Sequence, residues 1–167
     1  MQTVYYVGDW AVLTGPVFAE TPFHQSPKGL EIFNYGVWLK DALEKNNQFQ
    51  VNSVAAWDFY NQLGPGDYEK ILEEYGLIVF SDVDAKLFQL SPKFFDRSKF
   101  GKEILTFPDR IRLTVEHAHA GGRYMFLGGW YSFTGELGKG GWGRTRLAEI
   151  LPVKCMDIED LIETTEG

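Results

Sequence analysis

The stretch RYMFLGGWYSFTGELGKGGWGRTRLAEILPV, Arg123 to Val153, decides how the rest of the chain is read. It opens on the apolar run Tyr124 to Gly128, too brief for a helix and bounded by turn-formers, which reads as a buried strand. Gly128 and Gly129 permit positive φ and close backbone approach, so the chain turns off the strand end and presents Trp130, Tyr131 and Ser132 there. In an open α/β sheet, ligands bind outside this carboxyl end. Gly138 to Gly143 holds four glycines in six residues and reads as a mobile loop or tight hairpin. It lacks the GxxxxGK[ST] spacing of a phosphate loop. Arg144 and Arg146 beside it either meet an anionic ligand or stay solvated.

Working outward, Thr3 to Val7 is a strand ended by Gly8-Asp9-Trp10. Asp9 stands where ligands arrive, or caps a turn through its own backbone. Ala11 to Gly29, with Pro16, Pro22, Pro27 and His24, has no clear periodicity and reads as a long loop, of the kind that forms lids. Leu30 to Lys45 predicts a helix whose Ile32, Gly36, Leu39 and Leu43 face the sheet. Phe49 to Ala55 is a second strand, Trp57 to Gly66 a loop, and Asp67 the N-cap of a short helix with a Tyr68, Ile71, Leu72, Tyr75 stripe. Leu77 to Phe80 lacks alternation, as expected of a central parallel strand. Ser81-Asp82-Val83-Asp84 follows at its carboxyl end. Those two carboxylates orient a substrate, help hold a hard cation, or cap a loop, and the pair falls short of a full oxygen-ligand set. Leu87 to Pro108 is irregular and crosses the carboxyl edge, and Asp109 caps a helix with Ile111, Val115 and Ala118 inward. His117 and His119 are two residues apart on that helix and so share no face, which argues against zinc. Four strands separated by helices give a parallel sheet covered on both sides.

GGWYSFTGELGK, the threonine of GRT and the AEILPV ending resemble the signature region of the putative glutamine amidotransferase family, a branch of the class I amidotransferase-like superfamily. YVGDW (Tyr6 to Trp10), KGLEIF (Lys28 to Phe33), IVFSDVDA (Ile78 to Ala85) and HAGGRYMFLGG (His119 to Gly129) extend the resemblance over most of the chain, in order. It implies a single domain over 1–167 with a flavodoxin-like three-layer α/β/α sandwich, residues 153–167 forming an acidic tail. It also implies a glycine and an asparagine around the positions held here by Asp84 and Lys86. An active member would hydrolyse glutamine through a cysteine at a strand-to-helix elbow, with a histidine and a carboxylate farther along. Trp130 stands where that cysteine belongs, the single cysteine Cys155 lies well beyond, and no histidine follows Tyr124. A thiolate nucleophile needs an activating base, so glutaminase activity is not expected.

Two readings stay open. One is a non-catalytic ligand-binding or scaffolding domain using Asp9, Trp10, Asp82, Asp84, Gly129, Trp130, Tyr131 and Ser132 around an unidentified small molecule. The other is a hydrolase-type enzyme using Ser132 with Asp9, Asp82 or Asp84, although WYSFTG lacks the GxSxG spacing and a structural serine is the plainer reading. No cofactor or metal is expected. A net charge of −7 without a basic run argues against nucleic acid and anionic membrane. One cysteine and the lack of any long apolar segment or signal-peptide pattern suit the cytoplasm. Aromatics, at 16%, serve as core or as a binding surface. Because nothing after Val153 reads as a pair of strands, a sheet edge is expected to be open, closed in a homodimer or completed in a longer protein.

Overall fold

Valine, tyrosine, isoleucine and phenylalanine at the fully buried positions Val4, Tyr6, Val7, Ile78, Val79 and Phe80 make β1 (Gln2–Gly8) and β7 (Leu77–Ser81) the interior strands of a four-stranded sheet. In the computed structural model, which describes residues 1–14, 17–21, 24–27, 29–64, 66–89 and 109–160, the strand order is β6-β1-β7-β8 and every pairing is parallel. β6 is Phe49–Val54 and β8 is Tyr124–Leu127. β8 is an edge strand in this sheet, so its four residues are half-buried rather than enclosed as the apolar run suggested.

The sheet divides two cores. Tyr5, Val7, Ile78 and Phe80 pack with Phe59 of α2 (Ala56–Gln62), Tyr68, Ile71 and Leu72 of α3 (Asp67–Glu74), Phe88 of α4 (Ala85–Gln89) and Ile111 of α5 (Arg110–His119). Val4, Tyr6, Val51 and Val79 face the other way, where Leu39 and Leu43 of α1 (Val37–Glu44) cover them. This three-layer α/β/α arrangement is flavodoxin-like. Each fully buried side chain of this size contributes about 1.5–3 kcal/mol.

Four expectations are corrected. Leu30 to Lys45 is not one helix: Leu30–Asn34 is strand β5, paired antiparallel with β2 (Trp10–Thr14), and the helix begins only at Val37. The stripe misled because Leu39 and Leu43 do face the sheet, whereas Ile32 lies exposed on the ribbon. Ala11 to Gly29 is likewise not a loop but holds β2 and a second hairpin, β3 (Val17–Thr21) with β4 (His24–Pro27). Trp57 to Gly66 contains α2, whose weak intrinsic propensity is overridden by burial of Phe59 against the sheet. Asp67 is the first residue of α3 rather than its cap; Gly66, with φ of 80°, takes the cap position, and the Asp67 carboxylate accepts the Gly64 N–H at 2.8 Å. Of the segment Leu87 to Pro108, residues 90–108 lie outside the described residues.

Arg110 is 2% exposed and ties α5 to the helices around it. Its guanidinium donates to the carbonyls of Phe59 at 3.3 Å, Leu87 at 3.4 Å and Leu63 at 3.4 Å, and lies 5.2 Å from the Phe59 ring centroid. Burial pulls its pKa below the usual arginine value.

Candidate functional site

Gly8 pairs with Ser81 at the carboxyl ends of the two central strands, so the next residue on each strand, Asp9 and Asp82, occupies an equivalent place. Both adopt left-handed backbone, φ 55° and 53°, which carries the chain away from the sheet directly after the pairing stops. Asp9 accepts a hydrogen bond from the Tyr6 hydroxyl, and its carbonyl accepts the Tyr35 N–H at 2.7 Å. Asp82 Oδ1 accepts the Tyr131 N–H at 2.6 Å. Asp84 Oδ1 accepts the N–H groups of Lys86 at 2.8 Å and Leu87 at 3.1 Å, capping the start of α4.

The turn after β8 is laced to the turn after β7. Val83 N–H donates to Ser132 Oγ at 3.2 Å, Trp142 Nε1 donates to the Val83 carbonyl at 2.8 Å, and Ala85 N–H donates to the Gly140 carbonyl at 2.9 Å. Ser132 is fully buried beneath this seam, and its hydroxyl holds the seam together. Among the described residues no α-helix follows β8; the chain runs instead into 3₁₀ turns at Glu136–Gly138, Trp142–Arg144 and Arg146–Glu149, so the expected strand-to-helix elbow and glycine-rich loop are both replaced by compact turns around the buried Trp142. Neither Gly128 nor Gly129 has left-handed φ. Gly129 is needed for space: a Cβ there would sit 2.4 Å from Asp82 Oδ1. Beyond Val153, Asp160 Oδ2 accepts the N–H groups of Thr134 at 2.9 Å and Gly135 at 3.0 Å, so this acidic stretch packs on the turn. Arg144 donates to the Asp157 carbonyl at 3.3 Å and Arg146 pairs with Glu149 at 2.9 Å.

These elements enclose a cleft of about 880 Å³, within the usual range for small-molecule sites. Asp9, Trp10, Asp82, Asp84, Trp130 and Tyr131 line it, bringing together six of the candidates named from sequence. Gly129 lies against Asp82 and lines an adjoining hollow of about 800 Å³ that Trp130 also borders. The ribbon of β2 and β5 adds a wall through Ala11, Val12 and Leu13, with Tyr35 just past it. Tyr35 was hidden from sequence reasoning by the assumed helix, although Gly36, where an added Cβ would lie 2.8 Å from the Tyr6 ring, stands at the N-cap position before Val37. A separate cavity of about 570 Å³ beside β8, lined by His119, Tyr124, Phe126 and Phe133, contains none of the candidates. Among the described residues no group of three His, Cys, Asp or Glu side chains is placed to hold a metal ion.

Burial raises the Asp82 carboxyl above its ordinary value, the Tyr131 N–H pulls it down, and neighbouring Asp9 pushes it up again. The native protein therefore holds this proton more tightly than the unfolded chain. Ionisation of Asp82 accordingly costs stability as pH rises from the ordinary carboxylate value of ~3.9 through the raised native one. Asp82→Asn is expected to melt higher than the parent at pH 7, with the difference shrinking toward zero below pH ~4. A difference independent of pH, measured by calorimetry, would contradict this assignment.

Cytoplasmic protein STM1381 from Salmonella typhimurium LT2 has a similar solved structure, with TM-score 0.75 and 24% identity, covering 95% of this chain and 60% of that one. Cytoplasmic protein STM3548 from Salmonella typhimurium matches with TM-score 0.77 and 22% identity over 100% of this chain and 63% of that one. The chain thus spans about three-fifths of the length of these structures. No curated protein matches it, and no helix among the described residues is long and apolar enough to cross a membrane. Residues 25–167 match the family described as putative glutamine amidotransferase, and the chain belongs to that family.

Proposed function

We propose that this chain binds a small molecule in the cleft at the carboxyl edge of its sheet and does not hydrolyse glutamine. The observation carrying the reading is the convergence of Asp9, Asp82 and Asp84 with the rings of Trp10, Tyr35, Trp130 and Tyr131 on one cleft that no cysteine lines. Cys155, the single thiol, packs instead against Gly143, whose added Cβ would lie 2.7 Å from that of the cysteine. Burial and nearby Asp160 raise its pKa, the reverse of what a thiolate nucleophile needs. Purified protein is expected to release no ammonia from glutamine above a Cys155→Ala control; turnover above that control would overturn the second half of the proposal. For the first half, crystals soaked with a panel of small cations, anions and polyols are expected to show a ligand in this cleft. Ligands seated only elsewhere would overturn it.

A second reading, proton transfer by Asp82, draws on its raised carboxyl, since an acid or base working near neutral pH needs such a shift. Ser132, fully buried and hydrogen-bonded to Val83, serves this reading poorly as a nucleophile. The two readings separate once a ligand is found: under the first it is recovered unchanged, under the second it is converted at a rate abolished in Asp82→Asn.

A further inference from the structure

We infer that the group recognised in this cleft is an organic ammonium ion, a conclusion that rests on the binding reading above and specifies its chemistry. The cleft is built from two kinds of surface. Its lining carries the carboxylates of Asp9, Asp82 and Asp84 and the rings of Trp10, Tyr35, Trp130 and Tyr131, with no lysine or arginine among the described lining residues. Trp130, Tyr35 and Tyr131 are 69%, 45% and 40% exposed, so much of their ring surface is open to a ligand. Aromatic faces attract cations through the ring quadrupole, indole most strongly. The protein already makes one such contact nearby: Lys139 Nζ, tied to Glu136, stands 6.0 Å from the Tyr131 ring centroid.

The alternatives fit less well. An anion would meet three carboxylates on a chain of net charge −7. A neutral polyol needs donors as well as acceptors, and ionised carboxylates only accept. Several donors around the cleft are engaged already: the Trp10 indole with Ser53 Oγ at 3.2 Å, the Tyr131 N–H with Asp82, and the Tyr6 hydroxyl with Asp9. A bare metal ion lacks a three-ligand group among the described residues. An ammonium ion supplies what is missing, a positive charge beside Asp9 and Asp82 and an apolar surface for the rings.

The test uses choline and its neutral isostere 3,3-dimethylbutan-1-ol, titrated into the full chain while the tryptophan indole N–H resonances are followed by NMR. Choline is expected to shift the Trp10 and Trp130 signals saturably and to leave fully buried Trp142 in place. The isostere is expected to bind at least ~tenfold more weakly, as loss of a cation–π and ion-pair contribution of this kind implies. Trp130→Leu, at an exposed position whose change spares the fold, and Asp82→Asn should each weaken choline ~tenfold. Equal binding of the isostere, or saturation of the same signals by acetate or sorbitol and not by choline, overturns the inference and leaves the cleft as a binding site. Absence of a saturable choline shift up to ~100 mM also overturns it. If the soaked panel too seats nothing in the cleft, the binding reading falls with it.

Discussion

Gly8→Ala is expected to lower the melting temperature by roughly 8–16 °C, the largest effect of any single methyl group added at the site. Gly8 closes β1 with φ of 115°, and a Cβ built there would lie 1.7 Å from the Ser81 carbonyl oxygen and 2.8 Å from its carbon. Both atoms are backbone of the neighbouring strand, so no side chain can swing aside. Left-handed strain of ~1–3 kcal/mol and overpacking of ~1–3 kcal/mol sum to about 4 kcal/mol, at ~2–4 °C per kcal/mol for a chain of this length. The only relief is to part β1 from β7 where Asp9 and Asp82 leave the sheet, so surviving protein should also lose the cleft. A melt within ~2 °C of the parent would mean that the strand ends are not in this contact.

Trp142→Ala is expected to cost about 3–5 kcal/mol, the range for deleting a buried large aromatic. Trp142 is fully buried, and its ring centroid lies 5.3 Å from that of Phe126, 5.2 Å from Phe133 and 6.2 Å from Phe88. It joins the edge strand, the turn that follows and α4 in one cluster. Trp142→Phe separates the contributions: the ring volume is largely kept, while the Val83 carbonyl loses its donor at a cost of about 1–3 kcal/mol. Denaturant melts of both variants check the order, and equal losses would show that packing around the ring contributes little.

The central strands were legible because burial on both faces leaves a plain mark, as in Tyr5-Tyr6-Val7 and Ile78-Val79-Phe80. Their carboxyl ends were legible for the same reason, which is why Asp9, Asp82 and Asp84 could be named beforehand and are found along one cleft. The ribbon was not. Its strands β2 and β5 pair with each other rather than with the main sheet, and exposed Val12, Leu13 and Ile32 give no one-sided alternation. The apolar spacing from Ile32 to Leu43 then matched a helix by accident across the break at Gly36. At the turn after β8, sequence offered both positive φ and close approach at Gly128 and Gly129, and of the two only the close approach, at Gly129, is found. Left-handed backbone occurs instead at Gly8, Asp9 and Asp82 across the sheet edge and farther along the turn at Phe133, Gly135 and Leu137, and Gly129 is short of room because Asp82 reaches over it. A pairing between residues 49 apart in sequence leaves no local pattern.

The placement of β1 bears on how the chain is made. Of the sheet's four strands, β1 is made before the others yet sits inside the sheet, and Val7 finds its neighbours only at Val54 and Phe80, roughly 50 and 70 residues later. At ribosomal rates of ~5–20 residues per second, the apolar run Tyr5-Tyr6-Val7 waits on the order of 4–15 s for its second partner strand, longer than a small domain needs to collapse. During that interval both of its edges and both of its faces are open. Nascent chains halted before Leu77 should therefore be the ones that chaperones hold and that aggregate when chaperones are lacking, whereas chains extended past Ser81 can seal β1 between β6 and β7.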